Sequence, residues 1–175
     1  MFKSIKFSLK FLFIFLIPFN VIANEKIYFV DIDYIILNSI AGKKISSHIQ
    51  DESKKINLEF KEYKNQIDKK KKELLNQKNV LSNEEFQKKY VLLEEEIKKL
   101  NDIIKKKNTV LNNYKNDSRD EFLKKLHIVL HEYAKNKSIQ MIIQKRNILL
   151  AKKELDVTKD VIELFNKNFK VVEVN

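Results

Sequence analysis

Between Lys43 and Lys137 the chain holds neither a glycine nor a proline; its one glycine is Gly42 and its one proline is Pro18. A stretch of that length without a helix breaker, dense in Lys, Glu and Leu, has to be helical almost throughout. Apolar residues run through it on a heptad beat. From Ile49 they fall at Ile56, Phe60, Tyr63, Ile67, Leu74 and Leu81, with Lys70 and Gln77 as polar interruptions. A second series runs through Phe86, Tyr90, Leu93, Ile97, Leu100, Ile104, Leu111 and Tyr114, interrupted at Lys107. Spacings of three and four mark the buried seam of a coiled coil. The phase slips after Ser118 and resumes at Phe122, Leu126, Val129 and Tyr133, a four-residue stutter that locally unwinds a supercoil.

The two series fit an antiparallel hairpin. With a reversal at Ser82-Asn83-Glu84-Glu85, Leu81 meets Phe86, Leu74 meets Leu93, Ile67 meets Leu100, Tyr63 meets Ile104 and Ile56 meets Leu111. In that register Lys71 and Lys72 lie opposite Glu96 and Glu95, the flanking charge pattern that specifies a partner helix. Ser82 is a good N-cap for the returning helix, and Glu84 and Glu85 suit its positive end. The alternative is a parallel oligomeric coiled coil running straight through, which leaves the Ser82 cap signal without a role. Each arm helix measures on the order of 50–60 Å at ~1.5 Å per residue.

Strand-like runs flank the hairpin. Ile27 to Val30 is β-branched and aromatic, and Asp31 or Asp33 can cap a short helix reaching Ser39 before Gly42 resets the backbone. After Tyr133 come Ile139 to Ile143, a turn, and Ile148 to Ala151, predicting two more strands. Asp156 or Thr158 then caps an amphipathic helix using Val161, Ile162, Leu164 and Phe165. The expected architecture is α+β and mostly helical. A small β-sheet body, residues 24–42 and 138–175, carries an inserted coiled-coil arm, residues 43–137.

Residues 1–23 read as a secretory signal. Lys3 and Lys6 precede the apolar run Phe11 to Ile17, Pro18 ends it, and cleavage after Ala23 fits the small-residue rule. The run is shorter than the ~20 residues a membrane span requires. The net charge is +11, and loss of three signal lysines leaves a mature charge of +8. Such excess favours anionic partners, although the lysines alternate with acids as on a solvated helix face. No cysteine is present, which excludes disulfides, thiolate metal sites and thiol chemistry.

Val30-Asp31, Ser39 and Gly42-Lys43-Lys44 near the start, with Asp156-Val157-Thr158 and Val161-Ile162 near the end, resemble the Skp/OmpH family of periplasmic chaperones. The resemblance implies a homotrimer whose sheets join in a central body, with helical tentacles around a cavity. It also implies a periplasmic, ATP-independent hold on unfolded outer-membrane proteins, with no catalytic residue and no cofactor. Some members are thought to touch lipopolysaccharide or another anionic lipid surface; lysines are too abundant here to assign such a cluster. Body residues expected to support assembly are Ile27, Phe29, Val30, Ile139, Met141, Ile143 and Leu149.

Off-seam apolar residues of the arm, Leu58, Leu75, Val91, Leu92, Ile103 and Val110, are the candidates for client contact. Each also fits the ordinary scatter of exposed apolar side chains. His127 and His131 have the i, i+4 spacing of a metal pair, but Glu132 stands on the wrong side for H-E-x-x-H and no third ligand is evident. Glu94-Glu95-Glu96 suits charge pairing better than acid/base chemistry, and the lysine runs at 69–72 and 105–107 cannot form a P-loop. Two other readings remain open: a basic nucleic-acid-binding coiled coil, against which the export signal argues, and a structural envelope coiled coil.

Overall fold

A computed structural model describes residues 26–173; the segment read as a signal lies outside them. The order is β1 (Ile27–Val30), α1 (Ile32–Asn38), α2 (Ile40–Asn76), α3 (Asn83–Lys137), β2 (Met141–Gln144) and α4 (Thr158–Asn168), with single 3-10 turns at Lys145–Asn147 and Lys153–Leu155. The helices α2 and α3 form the predicted antiparallel hairpin. Its reversal occupies Gln77 to Leu81, slightly ahead of the expected 82–85. The shift has a local cause. Ser82 and Glu85 make a reciprocal capping box, the Ser82 hydroxyl accepting from Glu85 N–H at 3.3 Å and the Glu85 carboxylate accepting from Ser82 N–H at 3.2 Å. Asn83 to Glu85 are therefore already the first turn of α3. The Ser82 hydroxyl also donates to Glu85, and these bonds hold its carboxyl below the usual range.

The sheet is smaller than the sequence suggests. Among the described residues two strands pair, β1 and β2, parallel and in register from Ile27 opposite Met141 to Val30 opposite Gln144. Ile139 is excluded from β2 because its N–H closes the end of α3 on Ala134 C=O, with Ser138 left-handed at φ 51°. The third predicted strand, Ile148 to Ala151, does not form. The place beside β1 that it could have filled is taken by Asp156 and Val157: Phe29 bridges to Asp156, and Val157 N–H donates to Phe29 C=O at 3.0 Å. Ile148 to Ala151 consequently swings out, and Leu149 and Leu150 are fully solvated.

The core forms where α3 runs back into the body. Phe122, Leu126, Val129 and Tyr133, the four residues after the stutter, are buried with Val30, Ile35, Ala41, Val161 and Phe165. Phe122 stacks on Phe165 with centroids 4.5 Å apart, and the Tyr133 hydroxyl donates to Asp160 at 2.7 Å. Burial, and then the Asp160 carboxylate, push the Tyr133 phenol far above its ordinary value. Ser118, at the stutter itself, is buried and its hydroxyl has no partner among the described residues.

The sequence fragments at the two ends of the chain meet here. Asp31 N–H donates to the Thr158 hydroxyl at 2.9 Å, while the Asp31 carboxylate caps α1 through Tyr34 N–H at 3.0 Å and accepts from Lys145 at 3.1 Å. The Tyr34 N–H, reinforced by Lys145 against a partial burial penalty, holds the Asp31 carboxyl below its ordinary value. Asp156 accepts from Thr158 N–H at 3.0 Å, and Asn166 of α4 accepts from Ile40 N–H at 2.8 Å. These bonds fasten the first and last elements around the base of the hairpin.

Gly42 does not act as a turn residue. It lies inside α2, buried, with the Ser39 hydroxyl accepting from its N–H at 3.1 Å as the helix cap. A Cβ there would sit 1.7 Å from Ile36 C=O, so its absence lets α2 cross tightly against α1.

Two outcomes follow from the clamp. Replacing Gly42 with Ala gains up to ~1 kcal/mol of helix propensity, yet the backbone clash costs about 3 kcal/mol, the upper end for overpacking. Urea unfolding of Gly42→Ala should therefore show a clear net loss of stability. Because the folded Asp31 carboxyl is depressed, its contribution is present above its unfolded value near pH 4 and lost as pH falls through the folded value. Asp31→Asn, which retains a cap, should flatten that share of the acid limb when urea midpoints are compared between about pH 6 and pH 3.

Candidate functional site

The arm is held by a thin seam. Ile67, Leu74 and Leu93 are buried together, with Phe86, Ile97 and Leu100 partly buried against them, close to the register read from the heptads. Nearer the body, Ile56 is the buried seam residue of α2. Phe60, assigned to the seam by periodicity, is instead 44% exposed. A two-helix contact covers a narrower stripe than the heptad can supply, so one flank of the stripe stays wet.

Polar interruptions of the seam carry the ion pairs across it. Lys70 pairs with Glu96, not Lys71 or Lys72 as the flanking positions suggest, and Lys107 pairs with Glu59. Glu59 raises the Lys107 ammonium above its usual value. Lys89 also donates to Gln77 across the tip at 2.8 Å. All four charged groups are about half exposed and screened by solvent, so the pairs contribute little to stability while helping to fix register.

All six off-seam candidates of the arm are exposed: Leu58 67%, Leu75 64%, Val91 44%, Leu92 64%, Ile103 44% and Val110 61%. They divide by location. Leu75 borders one shallow groove near the tip, and Val91 and Leu92 another on the outer side of α3. The tip adds Val80, 85% exposed, which the heptad reading passed over because it lies in the reversal. Ile103 and Val110 instead border a groove between the two helices nearer the body, together with Ile56, Leu111 and Tyr114. Leu58 stands apart from all three.

The body candidates divide differently. Phe29 and Val30 are buried in the core, and Ile139 and Ile143 are half-buried. Ile27 and Met141 are exposed, and Leu149 is fully so. Strand β2 pairs on one side with β1, and its other edge has no strand partner among the described residues. An open strand edge, and separately the solvated Leu149 and Leu150, are surfaces of the kind that proteins cover.

His127 and His131 are exposed on α3 and border one groove with Met141 and Gln144. No group of three or more His, Cys, Asp or Glu side chains with metal-binding geometry occurs among the described residues. No helix of the described residues is long and apolar enough to cross a membrane.

Comparison with known proteins agrees with this architecture. No curated protein matches by sequence. A solved structure of a Caulobacter crescentus protein, described as an OmpH-like outer membrane chaperone, superposes with a TM-score of 0.73 over 87% of this chain and 90% of that one. The two share 13% identity, so the likeness is one of fold. The family model for outer membrane protein (OmpH-like) matches residues 26–165, from the start of β1 into α4 and through the whole arm. This chain belongs to the OmpH-like family.

Proposed function

We propose that the protein is a periplasmic holding chaperone that keeps unfolded outer-membrane proteins soluble after export, without ATP, and works as a homotrimer. The observation that carries this reading is the arm. It is a long basic hairpin whose seam consumes few apolar residues and leaves Leu75, Val80, Leu92 and Val110 facing water. Weak apolar contacts spread along a lever suit a binder that must hold many sequences and release them. The lysine excess adds long-range attraction for acidic unfolded chains, which acts on encounter rate more than on final affinity. The Caulobacter crescentus protein of the same fold, described as a chaperone, supports the same direction.

Assembly is inferred from the body. Its single-chain core is small, the outer edge of β2 has no strand partner among the described residues, and Leu149 and Leu150 are almost fully exposed among them. In a trimer these features would meet neighbouring copies, raising the three arms around a shared space.

Two measurements test the reading. Light scattering of the mature chain should give the mass of three copies, and a urea-unfolded porin diluted into it should stay soluble at stoichiometric ratio, capture slowing as salt rises. A monomer that leaves aggregation unchanged would overturn the proposal. Leu149→Asp combined with Leu150→Asp alters no buried side chain. It should leave the helical content intact while shifting the mass toward one copy; an unshifted mass would remove this segment from the interface.

A further inference from the structure

The groove between the arm helices exists because the seam fails twice at nearby positions. On α2 the apolar beat jumps from Ile49 to Ile56, leaving Ser53 where a seam residue would fall; on α3 it jumps from Ile104 to Leu111, leaving Lys107. Lys107 leans to Glu59 on the tip side. On the body side, His48 meets the edge of Tyr114, ring centroids 4.8 Å apart. Between these two closures the Ile56–Leu111 layer is not continued by a further apolar pair across the seam, since Ser53 and Lys107 take the adjoining seam positions. The result is a groove of about 570 Å³. A dry cavity of about 150 Å³ already accepts a benzene ring, so there is room for an aromatic side chain and some of its backbone.

Its charge points to one kind of occupant. The floor and walls are apolar, from Ile56, Ile103, Val110 and Leu111, with the Tyr114 ring at one end. Around the rim, Glu52 is engaged by Lys55 and Glu59 by Lys107. Lys106 has no carboxylate partner among the described residues, and it lies on the same rim. An apolar slot with one uncompensated ammonium is complementary to a ring flanked by a carboxylate.

We propose that this groove seats an aromatic side chain of a bound unfolded polypeptide, with Lys106 pairing an acidic residue next to it. The inference rests on the holding-chaperone reading and adds to it a preference: client segments in which aromatic and acidic residues alternate are held by the arm in preference to merely greasy ones. Such alternation is what a strand with one apolar and one polar face presents when unfolded. Neither Lys106 nor Tyr114 is singled out by heptad periodicity as a contact residue, since one reads as surface and the other as seam.

The test measures affinities of the mature chain for three soluble peptides that differ only in a central Asp-Phe-Asp, Asp-Ala-Asp or Lys-Phe-Lys, by titration calorimetry. The wild type should bind Asp-Phe-Asp about fivefold more tightly than either counterpart. Val110→Trp adds an indole from the solvent side, where Val110 is 61% exposed, and should abolish the Phe-over-Ala preference by filling the slot. Lys106→Glu leaves Ile56, Ile103, Val110 and Leu111 in place and should invert the Asp-over-Lys preference. Asn65→Trp, on an exposed face of α2 away from the groove, should preserve both. Equal affinities for the three peptides in the wild type, or unchanged ratios in Val110→Trp and Lys106→Glu, would overturn the proposal. Porin solubilisation run alongside separates the two readings: if the wild type suppresses aggregation but shows no peptide preference, the groove assignment falls alone, and if it does neither, the chaperone reading falls with it.

Discussion

Everything in this fold depends on α3 being one continuous helix with two jobs. Its first half pairs with α2 along a narrow seam, and its last turns bury Phe122, Leu126, Val129 and Tyr133 in the body against β1, α1 and α4. A pair of helices joined only by a tip and a flexible base would have no fixed direction. Here the base is part of the core, so the arm is aimed by the same side chains that stabilise the body. The change of partner requires a change of face, and the stutter after Ser118 supplies it: four extra residues rotate the apolar stripe from α2 toward α4. The buried Ser118 hydroxyl, unpaired among the described residues, marks that rotation, being small enough to pass between the two environments.

From that division follow the unequal properties of the two parts. The body concentrates apolar burial, stacked rings and long-range hydrogen bonds, with Asp31 to Thr158 and Ile40 to Asn166 closing it across most of the chain. The arm has one small buried cluster at Ile67, Leu74 and Leu93 and a separate buried residue at Ile56, interrupted by polar residues whose ion pairs are half exposed. Local opening should therefore begin in the arm, where few apolar contacts are at stake. A binder that must adapt to clients of different size benefits from having its weak layers there. The same economy of seam residues leaves apolar side chains free on the outside.

Legibility in the sequence followed the range of the interactions involved. The hairpin could be read because a heptad is local and repeats, and because the Ser82 cap is decided within four residues. Of the groove's two causes, the gap at Lys107 is visible in the heptads, whereas Ser53 gains meaning only once the pairing sets it and Lys107 on either side of one layer. The third strand was misread because Ile148 to Ala151 has strand composition, whereas its place beside Phe29 goes to Asp156 and Val157, a long-range competition that composition does not show. Gly42 looked like a turn residue for the same reason. Its true constraint is the Ile36 carbonyl of the preceding helix, a contact invisible until α1 and α2 are crossed. Tyr133 was placed on the core face by period, while its partner Asp160 carried no local sign of the bond.

Most of the residues on which the family resemblance rests at the two ends of the chain have structural work in this fold. Asp31 and Thr158 bond to each other, Ser39 caps α2, Gly42 permits a helix crossing, and Val30, Val157 and Val161 are core. Lys43 and Lys44, which complete the pattern, are exposed at the start of α2. The buried contacts constrain how the arm is built and aimed, and leave its exposed surface to residues under no such packing demand. A solvent-facing Leu or Lys on a two-helix arm can change with little cost to the fold, since surface substitutions usually move stability by less than ~0.5 kcal/mol. Two relatives with superimposable arms can then prefer different clients. Fold similarity at 13% identity is compatible with such a division between buried and exposed positions.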